Sequence, residues 1–145
     1  MMKRYAVIDT NVLVAALLSS HDDAATVQVV GRLFSGEPVP LYSEDILKEY
    51  NEVLRRKRSH FSEETVRILI GVMEKFGEAV CPSPSGEILP DMKDLPFYEV
   101  MLEKRNDAAY LVTGNTRHFP KKHRHGERVP GHSGSAEQCL RSWKA

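Results

Sequence analysis

Asp9 ends the first apolar run of this chain, Tyr5-Ala-Val-Ile, and is followed by Thr10 and Asn11. Three more oxygen-bearing residues follow: Asp94 at a helix start, Asn115 just past a strand, and Glu49 within a helix. A carboxylate at a strand-to-helix switch costs desolvation free energy unless something positive meets it. Three of them in one cleft raise that cost: a pair about 5 Å apart repels by on the order of 3 kcal/mol at an effective dielectric of 20. Unrelieved, the repulsion raises a pKa or opens the cleft, and a divalent cation relieves it. Magnesium and manganese take oxygen ligands, a few carboxylates and several waters. That suits an Asp/Glu/Asn set with no Cys or His pair beside it. Such a centre activates water and stabilises charge on a phosphoryl group, so phosphodiester hydrolysis is the chemistry these residue types fit best.

The elements around these residues decide whether they can meet. Tyr5–Ile8 is short and rich in strand formers, and helical spacing resumes at Val12, Leu13, Ala16 and Leu17. Ala109–Thr113 is the clearest later strand, with Gly114-Asn115 as its turn signal. If the two strands are parallel, Asp9 and Asn115 emerge at one edge, where ligands collect in open α/β sheets. Asp94 opens a helix with Pro96 in its first turn, and βα units place helix starts at that same edge. Ser43 caps a helix whose apolar stripe is Ile46, Leu47, Tyr50, Val53 and Leu54; Glu49 flanks the stripe, while Asp45 and Glu52 point further toward solvent. Each acid also has an ordinary explanation. Asp9 and Asp94 are credible helix caps, Glu49 a solvated helix acid, and Thr113-Gly114-Asn115 a plain turn. Singly these are the commoner readings; the set together brings a metal site level with them.

The remaining segments read as helices over 24–34 and from Ser62 to Gly77, and as short strands at the end of Pro38–Tyr42 and at Ala79–Cys81. Strands alternating with helices predict a parallel, doubly wound sheet covered on both faces. The 145 residues suit one domain, and the formal net charge is zero, so bulk charge decides nothing about nucleic acid. The charge is unevenly spread, with basic clusters at Arg55-Arg56-Lys57-Arg58 and Lys121-Lys122-His123-Arg124-His125. No stretch approaches a membrane span and no signal-peptide order opens the chain. Cys81 and Cys139 lack metal-type spacing and read as free thiols of a cytoplasmic protein. From Lys121 to Gly134 no strand pattern is visible. Ser135 can cap a short helix ending near Trp143.

In order along the chain stand Asp9-Thr10-Asn11, Ser43-Glu44-Asp45-Ile46-Leu47-Lys48-Glu49-Tyr50, Asp91-Met92-Lys93-Asp94 and Leu111-Val112-Thr113-Gly114-Asn115. This ordered set resembles the PIN-domain family, especially its VapC-like branch of bacterial toxin–antitoxin systems. No single motif is specific; the order is. The resemblance covers roughly Tyr5 to Phe119. It implies a three-layer α/β/α domain over 1–119 with a central parallel sheet, and a magnesium- or manganese-dependent ribonuclease. A homodimer and a cognate antitoxin partner are implied with it. By the family pattern Asp9, Glu49 and Asp94 match the three acids, and Asn115 the fourth polar position, often an Asp. Thr10, Asn11 and Thr113 match positions that orient the site, and Asp91 assists. The departures are the uncharged Asn115 and the tail. Residues 120–145 form an atypical basic segment, with the family's last strand either displaced toward Ser135–Trp143 or lost to disorder.

Arg55, Arg56, Arg58, Lys121 and Lys122 are candidates for tracking an RNA backbone, since phosphate contacts are electrostatic. An ordinary solvated helix end and tail explain both clusters equally well. His118 is a candidate for touching substrate, although a lone histidine is more often a surface or packing residue. Two other function classes compete: a non-catalytic RNA- or antitoxin-binding module on the same fold, and a phosphatase with Asp9 as nucleophile. The last usually wants a second Asp two residues on, where Asn11 stands.

Overall fold

A computed structural model describes residues 3–125 and 131–144. Five strands form one sheet: β1 (Tyr5–Ile8), β2 (Val39–Tyr42), β3 (Glu78–Ala79), β4 (Tyr110–Val112) and β5 (His132–Gly134). Their order is β3-β2-β1-β4-β5, and every pairing is parallel. Six helices accompany them: α1 (Thr10–Leu18), α2 (Ala25–Leu33), α3 (Glu44–Leu54), α4 (Glu63–Phe76), α5 (Leu95–Glu103) and α6 (Ala136–Lys144). The result is the three-layer α/β/α arrangement that the strand–helix alternation predicts.

The central strand is β1, whose Ala6, Val7 and Ile8 are buried, as a strand covered on both faces must be. Helix α5 packs across β1, β2 and β4, and α6 against α2 and β4. Tyr50 of α3 and Phe97 of α5 meet with ring centroids 6.1 Å apart, both fully buried. Their contact ties two helices that carry acids of interest. Ser43 caps α3 by accepting the Ile46 N–H at 3.2 Å, and Ser62 caps α4 through the Thr65 N–H at 3.1 Å. Gly77 is dictated by packing, because a Cβ there would lie 2.2 Å from the Met73 carbonyl oxygen and 2.5 Å from that of Pro40. That close approach lets α4 turn directly into β3.

The tail is where the structure differs from expectation. A strand, β5, lies inside the stretch in which no strand pattern is visible, and it pairs with β4 through Tyr110↔His132, Leu111↔Ser133 and Val112↔Gly134. Its three residues have no strand preference of their own, so tertiary context alone makes them a strand. Ser133 is buried, and its hydroxyl donates to the His123 carbonyl at 3.2 Å. At Gly134 a Cβ would sit 2.2 Å from the Tyr110 hydroxyl, so any larger residue would displace the Tyr110 side chain. Ser135 then forms a reciprocal cap with Gln138: the Ser135 N–H donates to the Gln138 amide oxygen at 2.9 Å, and the Gln138 N–H to the Ser135 hydroxyl at 3.2 Å. Cys139, Leu140 and Trp143 of α6 are buried. The expectation of disorder falls partly on residues 126–130, outside the described residues. Among the described residues no helix is long and apolar enough to cross a membrane.

Candidate active site

The parallel register sets Ile8 beside Val112, so Asp9 and Thr113 leave the sheet side by side at its carboxyl edge. Backbone bonds continue the alignment past the strands: the Asp9 N–H donates to the Val112 carbonyl and the Thr113 N–H to the Gly134 carbonyl, both at 2.9 Å. Asp9 stands at the cap position of α1 but makes no side-chain cap. Its Oδ2 instead accepts the hydroxyl of the fully buried Thr113 at 2.7 Å. The same Thr113 oxygen accepts the Asn115 N–H at 3.0 Å, so one side chain serves both the acid and the turn. Asn11 braces that turn from α1 through the Gly114 N–H at 3.3 Å.

The other acids repeat the pattern. Glu49, half-buried on α3, accepts the hydroxyl of the buried Thr10. Asp94 stands at the cap position of α5, again without a cap bond, and its Oδ2 receives His118 Nδ1 at 2.9 Å. Asp94 is thus not the plain helix cap its position suggests, and neither is Asp9. Asp94 takes its donor from another element, and Asp9 takes the Thr113 hydroxyl from β4's end, with a weaker contribution from the Asn11 N–H of its own helix. Behind them the Tyr50 hydroxyl donates to the Ile8 carbonyl, closing the core just below Asp9.

Electrostatics register the crowding. Burial pushes the Asp9 carboxyl up to about 6; the Thr113 hydrogen bond opposes the shift, and the charges of Asp94 and Glu49 add to it. Asp94 is raised too, chiefly by burial, with His118 opposing and Asp91 adding. Burial, then Asp9 and Glu49, hold the Tyr50 phenol well above its ordinary range. Among the described residues no lysine or arginine forms an ion pair with Asp9, Glu49 or Asp94. The donor set, three partly buried carboxylates with an asparagine beside them, fits a hard divalent cation in charge and atom type. The cage is not closed: among the described residues no three carboxylate, imidazole or thiol groups are gathered tightly enough to hold an ion. Glu49 is held by Thr10 and Asp94 by His118.

The outer candidates separate. Asn115 is exposed at the turn after β4, and Asp91 is exposed with Oδ1 accepting the Lys93 N–H at 3.0 Å. Arg55 is engaged by Glu63 at 2.9 Å and by Asn51, and Lys122 by Glu87 at 3.3 Å. Arg56 lines a cavity of about 300 Å³ together with Lys48, Lys93 and the acids Asp45, Glu49 and Glu52. Arg58 and Lys121 are exposed in single 3₁₀ turns at Lys57–Ser59 and Lys121–His123. His118, which the sequence offers as a substrate contact or more commonly a surface or packing residue, instead meets Asp94. Its partner lies 24 residues away on another element, and no local pattern marks the contact.

Comparison with known proteins gives one match. The PIN domain family model aligns with residues 5–117, most of the chain. PIN domains are generally nucleases and typically use divalent metal ions. No curated protein and no solved structure matches this chain.

Proposed function

The chain belongs to the PIN-domain family, and from that premise we propose that it is a divalent-metal-dependent endoribonuclease hydrolysing RNA phosphodiester bonds. One observation carries the reading: three carboxylates at the sheet's carboxyl edge are held by hydroxyls and one imidazole, while among the described residues the lysine and arginine ion pairs lie elsewhere. Negative charge left uncompensated in a partly buried site raises the free energy of the folded chain, and a cation relieves it.

Asp9, Glu49 and Asp94 would hold a magnesium or manganese ion, with the Asn115 amide oxygen as supporting donor. When bound, that ion supplies an activated water and neutralises charge on a phosphoryl oxygen. The chain's own residues set the stage. Thr113 and Thr10 each fix one oxygen of Asp9 and Glu49. Asn11, through Gly114, keeps the β4 turn against α1. Arg56, Lys48 and Lys93 line one cavity with Glu49, Asp45 and Glu52, and these three cations would meet a phosphate backbone arriving at the site. A VapC-like toxin role with a cognate antitoxin and a homodimer accompanies this reading through the resemblance of the ordered segments.

The test is cleavage of a mixed RNA panel by the full chain, with manganese or magnesium, with chelator, and beside Asp9→Ala. Metal-dependent cleavage that disappears in the variant supports the proposal. Retention of RNA without cleavage, indifferent to Asp9→Ala, replaces it with the binding module.

A further inference from the structure

We propose that His118 is a positioning residue for Asp94, orienting its carboxylate for a divalent cation; the inference rests on the nuclease reading of this site. Asp94 occupies a cap position and makes no cap. Among the described residues, the His118 imidazole is the only group hydrogen-bonded to its carboxylate, Nδ1 to Oδ2 at 2.9 Å. The Asp94 side chain is 14% exposed and that of His118 is 37% exposed, so the bond is shielded on the acid's side and open on the imidazole's.

The segment carrying His118 is braced at several points. The Asn115 N–H is held by Thr113, and the His118 N–H donates to the Asn115 carbonyl at 2.9 Å. Phe119 is buried, its ring 6.5 Å from that of Tyr98 on α5. Arg124 donates to the Phe119 and Arg117 carbonyls at 3.3 Å. The imidazole is therefore delivered by a turn already packed on the helix that carries its target. The same segment contains Thr113, the donor to Asp9. One loop after β4 thus orients two acids that come from different elements.

With Oδ2 committed to an N–H, Asp94 presents Oδ1 in a restricted direction. A carboxylate ordered in advance loses less freedom when it becomes a ligand. Donation requires the proton on Nδ1, which leaves Nε2 on the far side of the ring. The opposite role has the opposite sign: a histidine competing with the cation for Asp94 would weaken binding, and its removal would strengthen it.

Manganese titration of the full chain, followed by the electron paramagnetic resonance of free ion, distinguishes these roles without an activity assay. The set is wild type, Asp94→Asn, His118→Phe (ring kept, donor lost) and His118→Asn (donor kept near Nδ1). The expected result is binding by wild type, about 10- to 100-fold weaker binding by His118→Phe, as loss of a ligand-orienting partner usually gives, and recovery of most of that loss in His118→Asn. Thermal melting in chelator verifies that all are folded; His118→Asn covers the case in which His118→Phe is not. His118→Phe binding as tightly as wild type, or more tightly, overturns the proposal. So does a folded His118→Asn that binds as weakly as His118→Phe. If Asp94→Asn alone binds like wild type, Asp94 is no ligand and this inference falls while the nuclease reading survives on the other acids. If wild type binds no manganese, the nuclease reading falls and takes this inference with it.

Discussion

The acids of the sheet edge and the basic clusters of the surface are treated in opposite ways. Arg55 lies against Glu63, Lys122 against Glu87, and Arg124 against two carbonyls, so these cations find partners close by. Asp9, Glu49 and Asp94 receive two hydroxyls and an imidazole, donors that fix a direction while adding at most one positive charge. The surface pairs are exposed and weak in water. The edge acids are half-buried or buried, where an unpaired charge is costly. The metal-site reading accounts for this contrast, since a cation would compensate the acids that the fold's own lysines and arginines do not reach.

Removing the buried charge is the largest way to break that contrast. Asp9 titrates at about 6 in the folded chain against an ordinary 3.8, a difference of about 3 kcal/mol. The sign follows from proton counting. Between those values the native state holds the proton more tightly than the unfolded chain does. In chelator, stability therefore falls as pH rises from about 4 through about 6. Asp9→Asn removes that slope and leaves the metal-free protein more stable than wild type at pH 8 by up to about 3 kcal/mol, while abolishing cleavage. Urea melts at pH 4 and pH 8 measure it. A variant less stable than wild type at pH 8 would mean the Asp9 charge is already compensated.

The next effect lies beneath the site. Tyr50→Phe takes the phenol from the Ile8 carbonyl and should cost about 1–3 kcal/mol in the same melts, with the ring still packed on Phe97. A neutral outcome would show water replacing the hydroxyl.

Thr113→Val is smaller and more local. The lost hydrogen bond lowers the Asp9 pKa in the wild type, so the variant should titrate about one pH unit higher in chelator, by carbon-detected NMR of the carboxyl. An unchanged pKa would show that burial alone governs Asp9.

Legibility followed the same division. The acids could be placed from sequence because β1 and β4 announce themselves as apolar runs, and a polar residue ending a run has one edge to leave from. Thr10 and Thr113 came with them as chain neighbours. His118 did not, because its contact with Asp94 is purely tertiary. Strand β5 was hidden for a related reason. Ser133 and Gly134 are buried against β4 and His123, both distant in sequence. The basic clusters were visible as composition, but which cations are engaged depends on Glu63 and Glu87, acids that no spacing rule connects to them.

The smallest expected effect compares neighbours within one basic cluster. Arg55 and Arg56 are adjacent, both exposed and equally basic by sequence. In the structure Arg55 is turned to Glu63 and Asn51, whereas Arg56 lines the cavity beside Glu49 and, among the described residues, has no ion pair. A phosphate contact made by Arg56 releases about one counterion, so Arg56→Gln should reduce the salt dependence of RNA retention by about one unit of slope. Arg55→Gln should leave the slope unchanged, because its charge is already shared with Glu63. Filter binding across a salt series with an Asp9→Ala background, which removes cleavage, reads both. Equal slopes for the two variants would mean that the cluster acts as undirected surface charge and that the cavity beside Glu49 does not guide the backbone.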